Sequence, residues 1–264
     1  MADAKTRFSG FSEDYDRLRP RPPEVLAEVI GQWAGVPSPE VVDLGTGSGL
    51  SLPLWLGRAR RVTGVEPSAG MRRVAERRIA ALGAGAGTFT LIDATAEDTG
   101  LPDQCADIVT ASQAMHWFDP DKALPEIARI LRPGGVLAAY DCDWPPCVDW
   151  AAGAAYEEFE ELRLRLEIEH GLRPPYAAKS EHADRMRRSG LFRHVTEIAV
   201  LGREEGDAER FVGIALSQGG TVALREIGVS DDDLGLTRLR EVAEQRIPRP
   251  APWWLTYRVR MAVR

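Results

Sequence analysis

The nine residues Val41-Val42-Asp43-Leu44-Gly45-Thr46-Gly47-Ser48-Gly49 constrain this 264-residue chain more than any other stretch. Val41, Val42 and Leu44 are short, apolar and mostly β-branched, as a strand covered on both faces requires. Gly45, Gly47 and Gly49 then let the backbone turn tightly and approach a ligand with no Cβ in the way. A helix is expected next. Such a turn, at the carboxyl end of a central parallel strand, is where open α/β sheets bind nucleotide-like ligands. The spacing is G-x-G-x-G; Leu50 stands where a dinucleotide fingerprint wants its third glycine, and no G-x-x-x-x-G-K-[ST] phosphate loop is present.

Downstream of the turn, a strand–helix rhythm repeats. Residues 61–67 read as a second strand ending at Glu66, whose carboxylate can accept hydrogen bonds from the vicinal hydroxyls of a ribose. Pro67 and Ser68 open a helix over 69–82, with Ser68 as N-cap. A third strand at 88–92 ends at Asp93-Ala94, where a carboxylate and a backbone N–H suit the edge of an adenine. A fourth, at 106–111, runs into Ser112-Gln113-Ala114-Met115-His116-Trp117-Phe118-Asp119. A helix at 121–131 and the turn Leu131-Arg132-Pro133-Gly134-Gly135 then lead to a fifth strand at 136–142.

In this order and at these separations, Val41–Gly49, Gly64-Val65-Glu66-Pro67-Ser68, Ile92-Asp93-Ala94-Thr95-Ala96-Glu97-Asp98 and Leu131–Leu137 resemble the class I S-adenosylmethionine-dependent methyltransferases, in the branch with a compact "type 11" core. The resemblance covers about residues 8–142. Ala114–Asp119, with Tyr15 and Arg19-Pro20 upstream, further resembles the subgroup that includes trans-aconitate methyltransferase. The resemblance implies an α/β, Rossmann-like, doubly wound sheet of seven strands, mostly parallel, with a C-terminal antiparallel edge hairpin and helical cap insertions. It implies S-adenosyl-L-methionine as methyl donor and S-adenosyl-L-homocysteine as product. Asp43, Gly45, Thr46, Gly47 and Gly49 would hold the methionine part, Glu66 and Pro67 the ribose, Asp93 and Ala94 the adenine. Gln113 would line the sulfonium side, and Arg19 would pair with the donor's carboxylate. His116 is the leading base or substrate-orienting residue and Tyr15 the second; Asp141 and Asp143 are weaker choices for acid–base work. Each residue also has a plain structural role open to it: capping by Asp43, a solvated strand end at Glu66, a turn at Asp93.

Composition narrows the alternatives. Three cysteines (Cys105, Cys142, Cys147) form no paired framework, and His116, His170, His182 and His194 lack metal-ligand spacing, so no metal site is expected. A net charge of −7 argues against a nucleic-acid partner. Residues 1–20 carry Asp3, Lys5, Arg7, Glu13 and Asp14 without an apolar run, and no long apolar stretch occurs elsewhere. The expectation is a cytoplasmic protein, off the membrane, with a small-molecule substrate, as monomer or homodimer.

The expected organisation is one methyltransferase domain over 1–264: an N-terminal helical segment at 1–35, a cofactor-binding core at 36–142, and substrate-cap segments at 143–193 and 202–250. Helices are expected at 151–170, 180–189, 207–217 and 230–246, the last two separated by Gly219-Gly220, with strands at 194–201 and from Trp253 onward. Trp144, Trp150, Tyr156 and Phe159 are candidates to line an apolar pocket, against the simpler reading of ordinary core. Transfer of a methyl group to oxygen, nitrogen or carbon is the leading function. A donor-binding protein without transfer is the first alternative, and an NAD-dependent oxidoreductase the second.

Overall fold

The computed structural model describes residues 18–172 and 178–264. Tyr15 and the rest of residues 1–17 of the 1–35 segment therefore lie outside the described residues, as do residues 173–177. Seven strands form one sheet in the order β3-β2-β1-β4-β5-β7-β6: β1 (Glu40–Leu44), β2 (Arg61–Val65), β3 (Phe89–Ile92), β4 (Ala106–Ser112), β5 (Leu131–Cys142), β6 (His194–Gly206) and β7 (Ala251–Val263). The pairs β1·β2, β2·β3, β1·β4 and β4·β5 are parallel. At the other edge the sense reverses, with Gly134 and Gly135 pairing with Arg264 and Asp143 with Thr256. The doubly wound sheet with an antiparallel C-terminal edge is thus present as expected.

The chain divides into two compact units. Among the described residues, the sheet unit comprises 21–141, 178–200 and 257–264. Its helices are α1 (Val25–Ala34), α2 (Ala69–Ala81), α3 (Pro120–Ile130) and α5 (His182–Arg188). Val42, Leu44, Val65, Val109, Ile127 and Leu137 form the centre of its core. Strands β1 and β4 are buried along nearly their whole length, which is why their sequences read as apolar runs and not as alternation. Ser68 caps α2 by accepting from the Met71 N–H, and Asp119 caps α3 with Pro120 at its first position.

Among the described residues, the helical unit comprises 142–172 and 201–256, with 18–20. It holds α4 (Trp150–Glu169), α6 (Ala208–Leu216), α7 (Gly219–Glu226) and α8 (Leu236–Arg246). Residues 178–200 group with the sheet unit. Tyr156 and Phe159 are completely buried, packed edge-on among themselves and Phe211. They are core residues, the simpler of the two readings. Trp150 is exposed, and Trp144 lies half-buried beneath the Arg19 guanidinium, 5.3 Å from its ring centre.

Four local expectations are corrected. After the glycine turn comes only a 3₁₀ turn, Leu52–Trp55, because Pro53 and Gly57 bracket too short a segment for an α-helix. The Arg132–Gly135 turn belongs to β5, as an irregular start at which the register shifts between Ala106↔Leu131 and Ile108↔Val136. Gly219 and Gly220 begin α7 instead of separating helices: a Cβ on Gly220 would collide with the Glu167 carboxylate, so glycine is what lets this helix close on α4. The last helix begins at Leu236, not 230. Ser230 bonds to Asp233 and Thr237 to Asp232, and Gly235 is left-handed (φ 72°), so side chains compete with the helix over 230–235.

Among the described residues no helix is long and apolar enough to cross a membrane, and no group of three or more His, Cys, Asp or Glu is placed to hold a metal.

Candidate active site

The glycine turn is built by its neighbours. Gly45, Gly47 and Gly49 all adopt positive φ (63°, 57° and 77°), which costs other L-residues about 1–2 kcal/mol each. The three differ in what surrounds them. A Cβ on Gly45 would stand 2.7 Å from Ala114 Cβ, and one on Gly49 would press on Leu52 and Ala75. At Gly47 the nearest atom would be a backbone oxygen 4.0 Å away. The outer glycines therefore serve packing, and the middle one faces the space a ligand would enter.

Two buried carboxylates hold the turn. Asp43 has no exposed surface and accepts from the hydroxyls of Thr46 (2.6 Å), Ser51 (2.7 Å) and Thr110 (2.6 Å). Burial raises its pKa against the pull of those three donors. What Asp43 gives a ligand, it gives by fixing the turn that carries Thr46. Glu66, at the end of β2, accepts from Gly47 N–H (2.9 Å) on one oxygen and from Ser68 N–H (2.8 Å) on the other. It thereby ties the glycine turn to the start of α2 across Pro67. Burial raises the Glu66 pKa, opposed by these two N–H groups and by the Arg72 charge.

Arg72 bonds to the Glu66 carbonyl (2.6 Å) and to Asp93 Oδ2 (2.7 Å), so Asp93, itself largely exposed, is tied to the end of β2. Ala94 follows it, half-buried against the core. Sequence reasoning misses Arg72 and also Gly64. Gly64 pairs in register with Asp43, and a Cβ there would strike Leu91 and Thr46. The signal for Gly64 is a glycine inside a strand, a mark of close approach.

A second polar group sits at the carboxyl ends of β4 and β5. Gln113 follows β4 with φ 53°, its N–H bonded to the Tyr140 carbonyl. Its Oε1 accepts from Lys179 Nζ at 3.0 Å. His116 lies in a short 3₁₀ turn, Met115–Trp117, its ring tilted against Trp117 at 4.8 Å. Asp141 closes the group; Lys179 Nζ (3.1 Å) and His116 Nδ1 (3.7 Å) face Oδ1, and Arg260 Nη1 (3.0 Å) bonds to Oδ2. Burial would raise the Asp141 pKa, but the Lys179 charge and the His116 contact outweigh it and hold the group well below the usual carboxylate range.

His182, 1% exposed, borders the same group. Burial pulls its pKa down to about 4, only partly offset by Asp141. The folded chain keeps this imidazole neutral where the unfolded chain takes up a proton near pH 6.5. This contribution to stability is complete above pH 6.5 and is lost as pH falls through 4, a loss on the order of 3 kcal/mol once His182 is protonated. Urea unfolding at pH 7 and pH 5 should show a slope that His182→Leu flattens.

The fold thus brings Asp43, Gly45, Thr46, Gly47, Gly49, Glu66, Pro67, Asp93 and Ala94 to the carboxyl ends of β1–β3, and Gln113 and His116 to that of β4. Arg19 belongs to the helical unit, where it donates to Ser217 Oγ (3.0 Å) and to the Ser217 carbonyl (3.1 Å). Lys179 and Arg260 escape sequence reasoning because neither lies in a motif; Asp141 and Lys179 are 38 positions apart in the chain.

Sheet order and cradle together define the fold as the Rossmann-like fold of methyltransferases. Residues 42–139 match the family model described as "methyltransferase domain". An uncharacterized methyltransferase of Mycobacterium bovis is 35% identical over 140 residues, 51% of this chain and 51% of its own length. A malonyl-[acyl-carrier protein] O-methyltransferase of Serratia marcescens is 33% identical over 131 residues, 49% of each. This chain therefore spans about half the length of the curated relatives it matches. Among solved structures, a protein of Anaeromyxobacter dehalogenans described as a type II methyltransferase superposes with a TM-score of 0.65. It is 27% identical, and the superposition covers 93% of this chain and 97% of that one.

Proposed function

We propose that this protein transfers the methyl group of S-adenosyl-L-methionine to a small molecule, releasing S-adenosyl-L-homocysteine. The observation that carries the reading is Glu66: one buried carboxylate, at the end of the second strand, holds both the glycine turn and the start of α2. Each of its oxygens keeps a further lone pair, enough to receive the two hydroxyls of a ribose. The donor brings the reactive methyl; the protein's part is to hold donor and acceptor in line and to exclude water. Thr46 and Gly47 would border the methionine tail, Asp93 and Ala94 the adenine, and Gln113 the sulfonium side. Residues 143–193 and 202–250 are the proposed cap segments, and Arg19 and Tyr15 remain candidates from the amino-terminal segment. The run Ala114–Asp119 supports the trans-aconitate methyltransferase-like subgroup as the finer assignment, and the relative named for O-methylation supports oxygen as the acceptor atom.

Glu66→Ala should weaken S-adenosylhomocysteine binding by about 1–3 kcal/mol, the scale of charge-assisted hydrogen bonds lost from a partly buried site. Calorimetry on the folded variant measures it; unchanged affinity would mean that the ribose binds elsewhere. Methyl transfer itself is tested with a labelled donor across a broad acceptor panel. Tight donor binding with no S-adenosylhomocysteine formed would favour a binding protein over an enzyme.

A further inference from the structure

Arg72 stands where a helix least favours a cation. It is the fourth residue of α2, near the positive end of the helix dipole, and its N–H bonds to the Ser68 carbonyl. The side chain nevertheless reaches back to the sheet and is only 16% exposed. There β2 and β3 share a last backbone rung, from Glu66 N–H to the Ile92 carbonyl (3.2 Å). Arg72 adds a link beyond that rung: Nη1 donates to the Glu66 carbonyl at 2.6 Å, and Nη2 to Asp93 Oδ2 at 2.7 Å. One planar guanidinium thus spans the ends of both strands, a grip that needs the fixed fork of arginine. Its charge also opposes the rise that burial gives the Glu66 pKa. Asp93 gains most from the grip. Its side chain is 65% exposed, and an aspartate so placed samples several rotamers unless something holds it. Held at Oδ2, it presents Oδ1, and a carboxylate oxygen accepts hydrogen bonds and donates none.

We propose that Arg72 is a specificity-determining positioning residue: it fixes the Asp93 carboxylate so that Oδ1 meets the 6-amino group of the methyl donor's adenine. The proposal rests on the reading of Asp93 and Ala94 as the adenine end of the site. Asp93 touches the base, and Arg72 acts through Asp93. A purine with no N–H at position 6 leaves Oδ1 without its bond and binds less well. Aim matters here as much as charge. A carboxylate left to rotate meets water instead, and settling it on the base costs freedom that a fixed one has already given up. Position 6 is the group to vary, because the ring nitrogen suited to the Ala94 N–H then stays the same.

Calorimetry on the full chain compares S-adenosylhomocysteine with its analogue in which hydrogen replaces the 6-amino group. The wild type should favour the amine by about tenfold or more, the scale of one charge-assisted hydrogen bond at a partly exposed site. Asp93→Ala should bring that ratio close to one, and Arg72→Ala should bring it below about threefold. Arg72→Ala also removes a charge beside Glu66, so both ligands lose affinity; the ratio alone reports on Asp93. Combined with Asp93→Ala, it should change the ratio no further, as expected of a residue acting through its partner. Arg72→Met keeps the length and packing of the side chain without its N–H groups, and should match Arg72→Ala. A wild-type ratio retained in either Arg72 variant, with both affinities lowered alike, would mean a structural role only and overturn the proposal. A wild-type protein that binds both ligands equally would overturn it too. A wild-type protein that binds neither would sink the donor-site reading itself, and this proposal with it.

Discussion

Asp141→Ala is expected to lower the unfolding free energy by about 3–5 kcal/mol, the range for removing one partner of a buried ion pair. Asp141 and Arg260 have side chains only 3% and 4% exposed, so the guanidinium left behind can reach little water. Glu197 still holds Arg260 from its other side, which favours the lower end of the range. In a chain of this size the loss should appear as a fall in melting temperature of roughly 10 °C. The companion variant decides the cause. With Asp141→Leu and Arg260→Leu combined, no buried charge is stranded, because Glu197 and Lys179 both retain exposure. The double variant should recover most of the stability lost by either single one. A double variant as unstable as the sum of its parts would show that packing, not charge, accounts for the loss.

Asp43→Ala should cost about 2–3 kcal/mol in stability and weaken S-adenosylhomocysteine binding by more than tenfold. Three hydroxyls, on Thr46, Ser51 and Thr110, lose their shared acceptor inside a fully buried site. The loss stays below a simple sum over three bonds, because burying the carboxylate is itself unfavourable and the substitution removes that cost. Asp43→Asn keeps one acceptor oxygen and should cost about 1 kcal/mol. Chemical unfolding with calorimetry of the product nucleoside separates stability from binding. Full donor affinity in a folded Asp43→Ala protein would mean that the turn holds its shape without this carboxylate.

The parts of the fold legible in the sequence are those set by local chemistry. The apolar runs of β1 and β4, the Ser68 cap and the glycine turn each follow from a few adjacent residues whose propensities agree. Departures come where packing from elsewhere chooses between local options. Gly219 and Gly220 look like a break, and only the Glu167 carboxylate across from Gly220 explains why they start a helix. Tyr156 and Phe159 have the spacing of a helix face in either a pocket or a core, and burial against Phe211 decides for core.

The site divides along the same line. By itself the sequence determined the proposed donor half: a strand, a turn of three glycines, an acidic strand end and a capped helix, all within the span from Val41 to Ala94. Those residues act through backbone conformation and short-range hydrogen bonds, which local sequence specifies. Only the tertiary structure decided the group around His116. Gln113, Asp141, Lys179 and Arg260 come from the end of β4, β5, the segment before α5, and β7. Their charges matter because sheet order sets β5 between β4 and β7 and removes the water that would screen them.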